Sequence, residues 1–131
     1  MEIEIRLGDG RKVDASWGKF TVPTDQGVES GGEASAPEPY DLFLVSLGTC
    51  AGSAVLGFCR ARDIPAGDIR LVQRVVRDPD RKRVARVETE ILLPPDFPQK
   101  YEKAVGRAAA TCAVRKTVED PPEFVITARR A

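Results

Sequence analysis

The chain opens on alternation. In "MEIEIRL" the apolar Ile3, Ile5 and Leu7 fall on one face of an extended strand and charged residues on the other. "GDG" follows as a tight-turn signal, because Asp-Gly favours positive φ. "RKVDASW" and "KFTV" continue the strand pattern, which predicts a meander or hairpin at the N-terminus. The pattern then stops. From Pro23 to Pro39, "PTDQGVESGGEASAPEP" contains almost no apolar residue. A loop of this length inside a compact domain is unusual, and so little burial predicts a mobile segment or a lid over a groove.

Hydrophobicity returns abruptly. "PEPYD" has the features of a helix start, with Pro39 near the first turn and Asp41 just inside it. Leu42 to Cys59 then holds eighteen residues and no charge. The spacing predicts a helix to about Asp63, stopped by Pro65 and Gly67. "IRLVQRVV" and "RVARVETEILL", joined by "RDPDRK", predict an antiparallel hairpin. In its second strand Ala85, Val87, Thr89, Ile91 and Leu93 face one way, while Arg86, Glu88 and Glu90 face solvent. Beyond "PPDFPQ", Tyr101, Ala104, Val105, Ala108 and Cys112 share one helical stripe. The phase then shifts to Val114 and Val118, which predicts a kink or a new short helix after Cys112. "EFVITA" reads as a last strand. Strands, helix, hairpin, helix, strand is an α+β order, expected as one domain over residues 1–131.

Charge narrows the partners. Twenty basic residues balance twenty acidic ones, and no basic tract stands out, so neither nucleic acid nor an anionic membrane surface is an expected partner. The N-terminus lacks a basic region followed by an apolar run, and three cysteines are too few for a secreted disulfide scaffold, so a reducing cytoplasm is the expectation. The apolar helix is at the lower limit of length for a membrane span. Ser46, Gly48, Thr49, Gly52, Ser53 and Gly57 dilute it, in a chain that is 31% charged, so a helix buried within a soluble protein is expected instead. Gly48 and Gly52, one turn apart, would allow another element to come close.

The candidate chemistry lies in the cysteines. Cys50 and Cys59, nine residues apart, lie on opposite sides of one helix and cannot bridge each other. Cys50 and Cys112 lie on separate helices that packing could bring together. Each cysteine has an ordinary alternative reading as a small buried hydrophobe. There is no Cys-x-x-Cys and no histidine, so neither a metal site nor a cofactor is expected. The same absence rules out Ser-His-Asp and Cys-His pairs within the chain. An activated thiolate would need a cation, a helix N-terminus or hydroxyls. Cys50 lies about ten residues into its own helix, beyond the reach of that helix's dipole.

Two segments carry a resemblance. "PYDLFLVSLGTCAGSAVLGFCRARDI" resembles the first long helix of the OsmC/Ohr family, and "AAATCAVRKTVE" resembles its second cysteine segment. The 62-residue separation of Cys50 and Cys112, the preceding "GG…P" loop and the strand order fit as well. The resemblance implies an OsmC-like α+β fold, with two central helices packed against antiparallel sheets in an intertwined homodimer. It also implies a thiol peroxidase of the oxidative stress response that reduces organic hydroperoxides. Cys50 would attack, Cys112 would resolve, and a dithiol would be the reductant. Some positions differ from the family pattern. Tyr40 stands where peroxidase members carry a glutamate, Gly8 falls at the place of a thiolate-pairing arginine, and Ala113 and Arg115 replace a proline and a histidine. The arginine would then be sought in Arg6, Arg11 or Arg115, and the carboxylate that orients it in Asp41 or Glu38. The differences leave open a second reading, a non-enzymatic dimer that binds a small apolar ligand in a helix-lined groove.

Overall fold

A computed structural model describes residues 1–131. The protein is mixed α+β: strands β1 (Glu4–Leu7), β2 (Val13–Trp17) and β3 (Phe20–Thr24), helix α1 (Pro39–Arg60), strands β4 (Arg70–Asp78) and β5 (Arg83–Leu92), and helices α2 (Glu102–Ala109) and α3 (Ala113–Glu119). It divides into two compact units, Met1–Val45 and Ser46–Ala131, with the boundary inside α1.

In the first unit, β1, β2 and β3 form an antiparallel meander. The register places Ile5, Ala15 and Val22 in one row and Leu7, Val13 and Thr24 in the next. One face of the sheet is therefore almost wholly apolar, as the alternation predicts. Much of that face is bare within the protomer: Ile5 is 57% exposed and Leu7 84%.

The segment after β3 is not slack, although its composition predicts mobility. Asp25, 1% exposed, gathers it. Its carboxylate accepts the N–H groups of Gln26 (2.8 Å), Glu33 (3.2 Å) and Ser35 (3.1 Å) and the Ser35 hydroxyl (2.7 Å). Gly32 packs against the Gln26 carbonyl so closely that any Cβ there would collide with it. A short, polar, glycine-rich sequence is ordered here by hydrogen bonds to one anion rather than by apolar burial. These donors, with Ser35 first, hold the Asp25 carboxyl far below the usual carboxylate range. The clasp is therefore fully formed above that range, and weakens only as pH falls through the ordinary carboxylate pKa toward the depressed one.

The second unit holds the core. Val55, Cys59, Phe97 and Val105 are buried together, with Phe58, Ile64, Leu71, Ile91 and Tyr101 packed around them. β4 and β5 pair as the expected hairpin, with Leu71, Val75, Val87 and Ile91 on one face and a register shift at Val76/Arg77. Gly48 lets β4 approach α1: a Cβ there would stand 3.1 Å from Gln73 Oε1. Gly52 faces open space within the protomer, so the close approach expected there is not made inside one chain. Beyond Cys112 the shift of phase corresponds to a break, with α2 ending at Ala109 and α3 starting at Ala113.

The predicted last strand is absent. Residues 121–131 form no regular element, and Phe124, Val125 and Ile126 are 82%, 74% and 96% exposed. The segment pairs with neither sheet, although each ends in strands with an open edge. α1 is long and apolar enough to cross a membrane by length and composition, with 22% of its apolar window buried inside the protomer.

Candidate functional site

α1 begins at Pro39, where the missing N–H is not needed. Asp41 reaches back, and its Oδ2 accepts the backbone N–H of Glu38 at 3.0 Å. Glu38 Oε1 in turn accepts the N–H of Gly27 at 3.0 Å. Both carboxylates are thus engaged: Asp41 supplies the back-reaching half of a capping box at the helix start, and Glu38 holds the loop before it. Arg6 lies on the polar face of β1, paired with Glu4 at 3.0 Å, and Arg11 is exposed in the β1–β2 turn. Arg115 extends along α3 to Glu119 at 2.8 Å, with both side chains more than half exposed. Such pairs add little stability.

The two cysteines that the sequence singled out do meet. Cys112 is buried and caps α3: its sulfur accepts the backbone N–H of Arg115 at 3.4 Å. A helix start leaves its first N–H groups without partners inside the helix, and a side-chain acceptor at the cap satisfies one of them. The Cys112 S–H also faces the carbonyl of Leu47 at 3.9 Å, which anchors the start of α3 to the middle of α1. Cys50, half-buried, lies one turn further along α1 and completes the cluster.

Around Cys50 the donors converge. The groups that act on its sulfur are the Val114 N–H, then the Cys112 thiol, then the Ala113 N–H. Led by Val114, they pull the Cys50 thiol below its ordinary pKa, against the opposing effect of burial. Cys59, on the same helix, shows the reverse: it is fully buried in the core, and desolvation pushes its thiol up, offset in part by the Arg62 charge. All three cysteines are free thiols.

The sequence reading allowed a helix N-terminus as an activator but sought a cation, and it missed the amides of Ala113 and Val114 and the carbonyl of Leu47. One signal was available, since a phase shift right after Cys112 implies a new helix whose first amides point back at whatever precedes it. Asp25 was overlooked too, although an aspartate leading a Gly/Ser-rich turn segment is a known local acceptor.

A cavity of about 340 Å³ lies elsewhere in the second unit, lined by Arg62, Asp63, Ile64, Asp68, Phe97, Tyr101 and neighbouring residues. The Arg62 guanidinium stacks 3.7 Å from the Phe58 ring centroid and donates to the Phe58 carbonyl at 3.1 Å. Its lining mixes charges of both signs with proline and aromatic surface, and no cysteine takes part.

An antiparallel α+β protein with a paired-thiol site at a helix junction is the class these features define. The family model for OsmC-like protein matches residues 31–127, and the chain belongs to that family. Solved structures share the fold. One is an osmotic stress induced and detoxification response protein from Psychrobacter arcticus, with a TM-score of 0.76 and 23% identity over 88% of this chain and 85% of that one. Another is an OsmC-like protein from Mycoplasma pneumoniae, with a TM-score of 0.70 and 13% identity over 92% and 87%. A third is an organic hydroperoxide resistance protein OsmC from Legionella pneumophila, with a TM-score of 0.58 and 18% identity over 89% and 87%. At these identities the likeness is one of fold. Among curated proteins no sequence match is found.

Proposed function

We propose that this protein is a thiol peroxidase that reduces organic hydroperoxides. The carrying observation is the placing of Cys112, the cap of α3, against α1 at the Leu47 carbonyl one turn from Cys50, where Cys112 and the Val114 and Ala113 amides lower the Cys50 pKa. Those donors favour the thiolate, which is the nucleophilic form. The Cys50 thiolate attacks the outer peroxide oxygen, and the O–O bond breaks. Cys50 becomes a sulfenic acid, and the alkoxide takes a proton to leave as the alcohol. The Cys112 thiol then condenses with the sulfenic acid, forming the S–S bond and releasing water. A dithiol returns two electrons and two protons, restoring both thiols and becoming a disulfide itself. Membership of a family that includes an organic hydroperoxide resistance protein supports the substrate class.

The working unit is a homodimer, within which residues 1–131 act as one OsmC-like domain in the cytoplasm. Bare apolar side chains support the dimer: Leu7 on the first sheet, Val45 and Leu56 along α1, and Phe124 to Ile126 in the tail. Surface of this kind on a net-neutral chain calls for a partner that covers it. Detergent-free sedimentation should give twice the chain mass at micromolar concentration, and a monomer would exclude this assembly.

A second reading is favoured by one observation. Glu38 and Asp41 are occupied by backbone N–H groups, and Arg6 and Arg115 by Glu4 and Glu119. On that reading the dimer binds a small apolar ligand and does no chemistry. Peroxide consumption with a dithiol present separates the two. Turnover that vanishes in Cys50→Ser, with a dimedone-trappable sulfenic acid at Cys50 in Cys112→Ser, supports the peroxidase. Thiols that stay reduced under excess hydroperoxide in a folded dimer leave only the binding protein.

A further inference from the structure

The cavity of about 340 Å³ beyond the end of α1 gathers five charged side chains, Arg62 and Lys100 against Asp63, Asp68 and Asp96. None of the five belongs to a salt bridge. The cations rest on aromatic rings instead. The Arg62 guanidinium lies 3.7 Å from the Phe58 ring centroid and 5.5 Å from that of Tyr101. Lys100 Nζ lies 5.0 Å from the Tyr101 centroid. Such contacts hold a cation in place without neutralising it. One Arg62 N–H donates to the Phe58 carbonyl at 3.1 Å, and most of its five donors remain for another acceptor.

The walls are preformed. Pro65, Pro94 and Pro98 line the cavity, and each fixes its own φ. Phe97 is buried at its side and Tyr101 half-buried, which adds apolar surface. Where α1 ends, the Ile64 N–H closes on the Cys59 carbonyl at 2.9 Å, and this turn sets Asp63 at a φ of 53°. Glycine is the low-cost residue in that conformation, so the Asp63 carboxylate stands at the cavity against a backbone cost.

We propose that this cavity binds a small zwitterion, an α-amino acid with an apolar side chain. Its carboxylate meets Arg62 and Lys100, and its ammonium group lies among Asp63, Asp68 and Asp96. A plain anion would face three carboxylates, and a plain amine would face two cations. Only a ligand carrying both charges satisfies both sets, while the proline and aromatic walls take its side chain. A volume near the lower end of small-molecule sites suits one amino acid rather than a longer peptide. No cysteine lines the cavity, so the proposal stands apart from the peroxidase reading.

The test is titration calorimetry on the full-length protein with three ligands of one shape. These are L-leucine, 4-methylpentanoate, which lacks the ammonium group, and 3-methylbutylamine, which lacks the carboxylate. Leucine should bind at least about tenfold more tightly than either analogue, the scale of one charge-assisted hydrogen bond. Arg62→Gln should weaken leucine by about tenfold and move the preference to the amine. Asp63→Asn combined with Asp68→Asn and Asp96→Asn should move it to 4-methylpentanoate, and asparagine suits the left-handed turn at position 63. No binding of leucine at millimolar concentration overturns the proposal. So does an analogue that binds the wild-type chain as tightly as leucine, which decides the matter even where a variant fails to fold. Unchanged preference in both folded variants overturns it as well.

Discussion

Two stretches of the same helix place cysteines in opposite situations. Near the end of α1, Cys59 has every contact that apolar packing can give, with Val55, Phe97 and Val105 in the same buried cluster. In the middle, Cys50 sits less deeply and meets the start of α3, where the Val114 and Ala113 amides act on its sulfur. Burial pushes the first thiol toward its neutral form, and hydrogen bonding pulls the second toward its ionised form. Depth alone therefore does not decide which of the two thiols ionises more readily. Nine residues along one helix separate a buried core thiol from a candidate nucleophile, because only one of them meets the start of another helix.

The sharpest way to break this contrast is to exchange the sulfurs one at a time. Cys50→Ser should lower hydroperoxide turnover by roughly a thousandfold or more, the scale on which loss of a nucleophile acts. Cys59→Ala should leave turnover near wild type in the same steady-state assay. Equal losses in both variants would mean that the two environments are not functionally distinct.

Next in size is the pH response. The Cys50 thiol is held below its ordinary value, so the midpoint of its alkylation profile with iodoacetamide should lie below the free-thiol midpoint of about 8.5. Cys59 should react slowly, with its rise above that midpoint. Peptide mapping after timed labelling separates the two sites, and superimposed profiles would contradict the contrast.

A smaller and more specific effect is expected from Ala113→Pro. Proline suits the first position of a helix, and the φ of −54° and ψ of 127° at Cys112 suit a residue before proline. The substitution should leave α3 folded while deleting one N–H from the Cys50 sulfur. Alkylation of Cys50 near neutral pH should slow by roughly three- to tenfold, in line with the loss of a single hydrogen bond. An unchanged rate in a folded variant would show that the Ala113 amide plays no part in holding the thiolate.

The smallest effect concerns the other side of the comparison. Cys59→Ala removes a sulfur from a filled core and should cost about 1 kcal/mol of stability. Denaturant unfolding with an unchanged slope should register it. Stabilisation would argue against tight packing at this position.

The elements were largely legible in the chain itself. Alternation at Ile3, Ile5 and Leu7 and at Val87, Thr89 and Ile91 fixes which sheet faces are apolar, because strand periodicity is local. Pro39 and Pro65 bracket α1, and the change of phase after Cys112 marks where α3 begins, for the same reason. The opposition of Cys50 and Cys59 follows from helical geometry alone. The long polar segment was not legible in this way. Its composition shows no burial, and only the fold brings Asp25 to the amides of Gln26, Glu33 and Ser35. Whether "EFVITA" pairs with an edge is equally a matter of the fold, and here it does not. The sequence also directed the search for an activating group toward charged side chains, since those are what a sequence displays. Backbone amides are present at nearly every position and acquire direction only when a helix starts, so the role of Ala113 and Val114 was decided by the docking of α3 on α1.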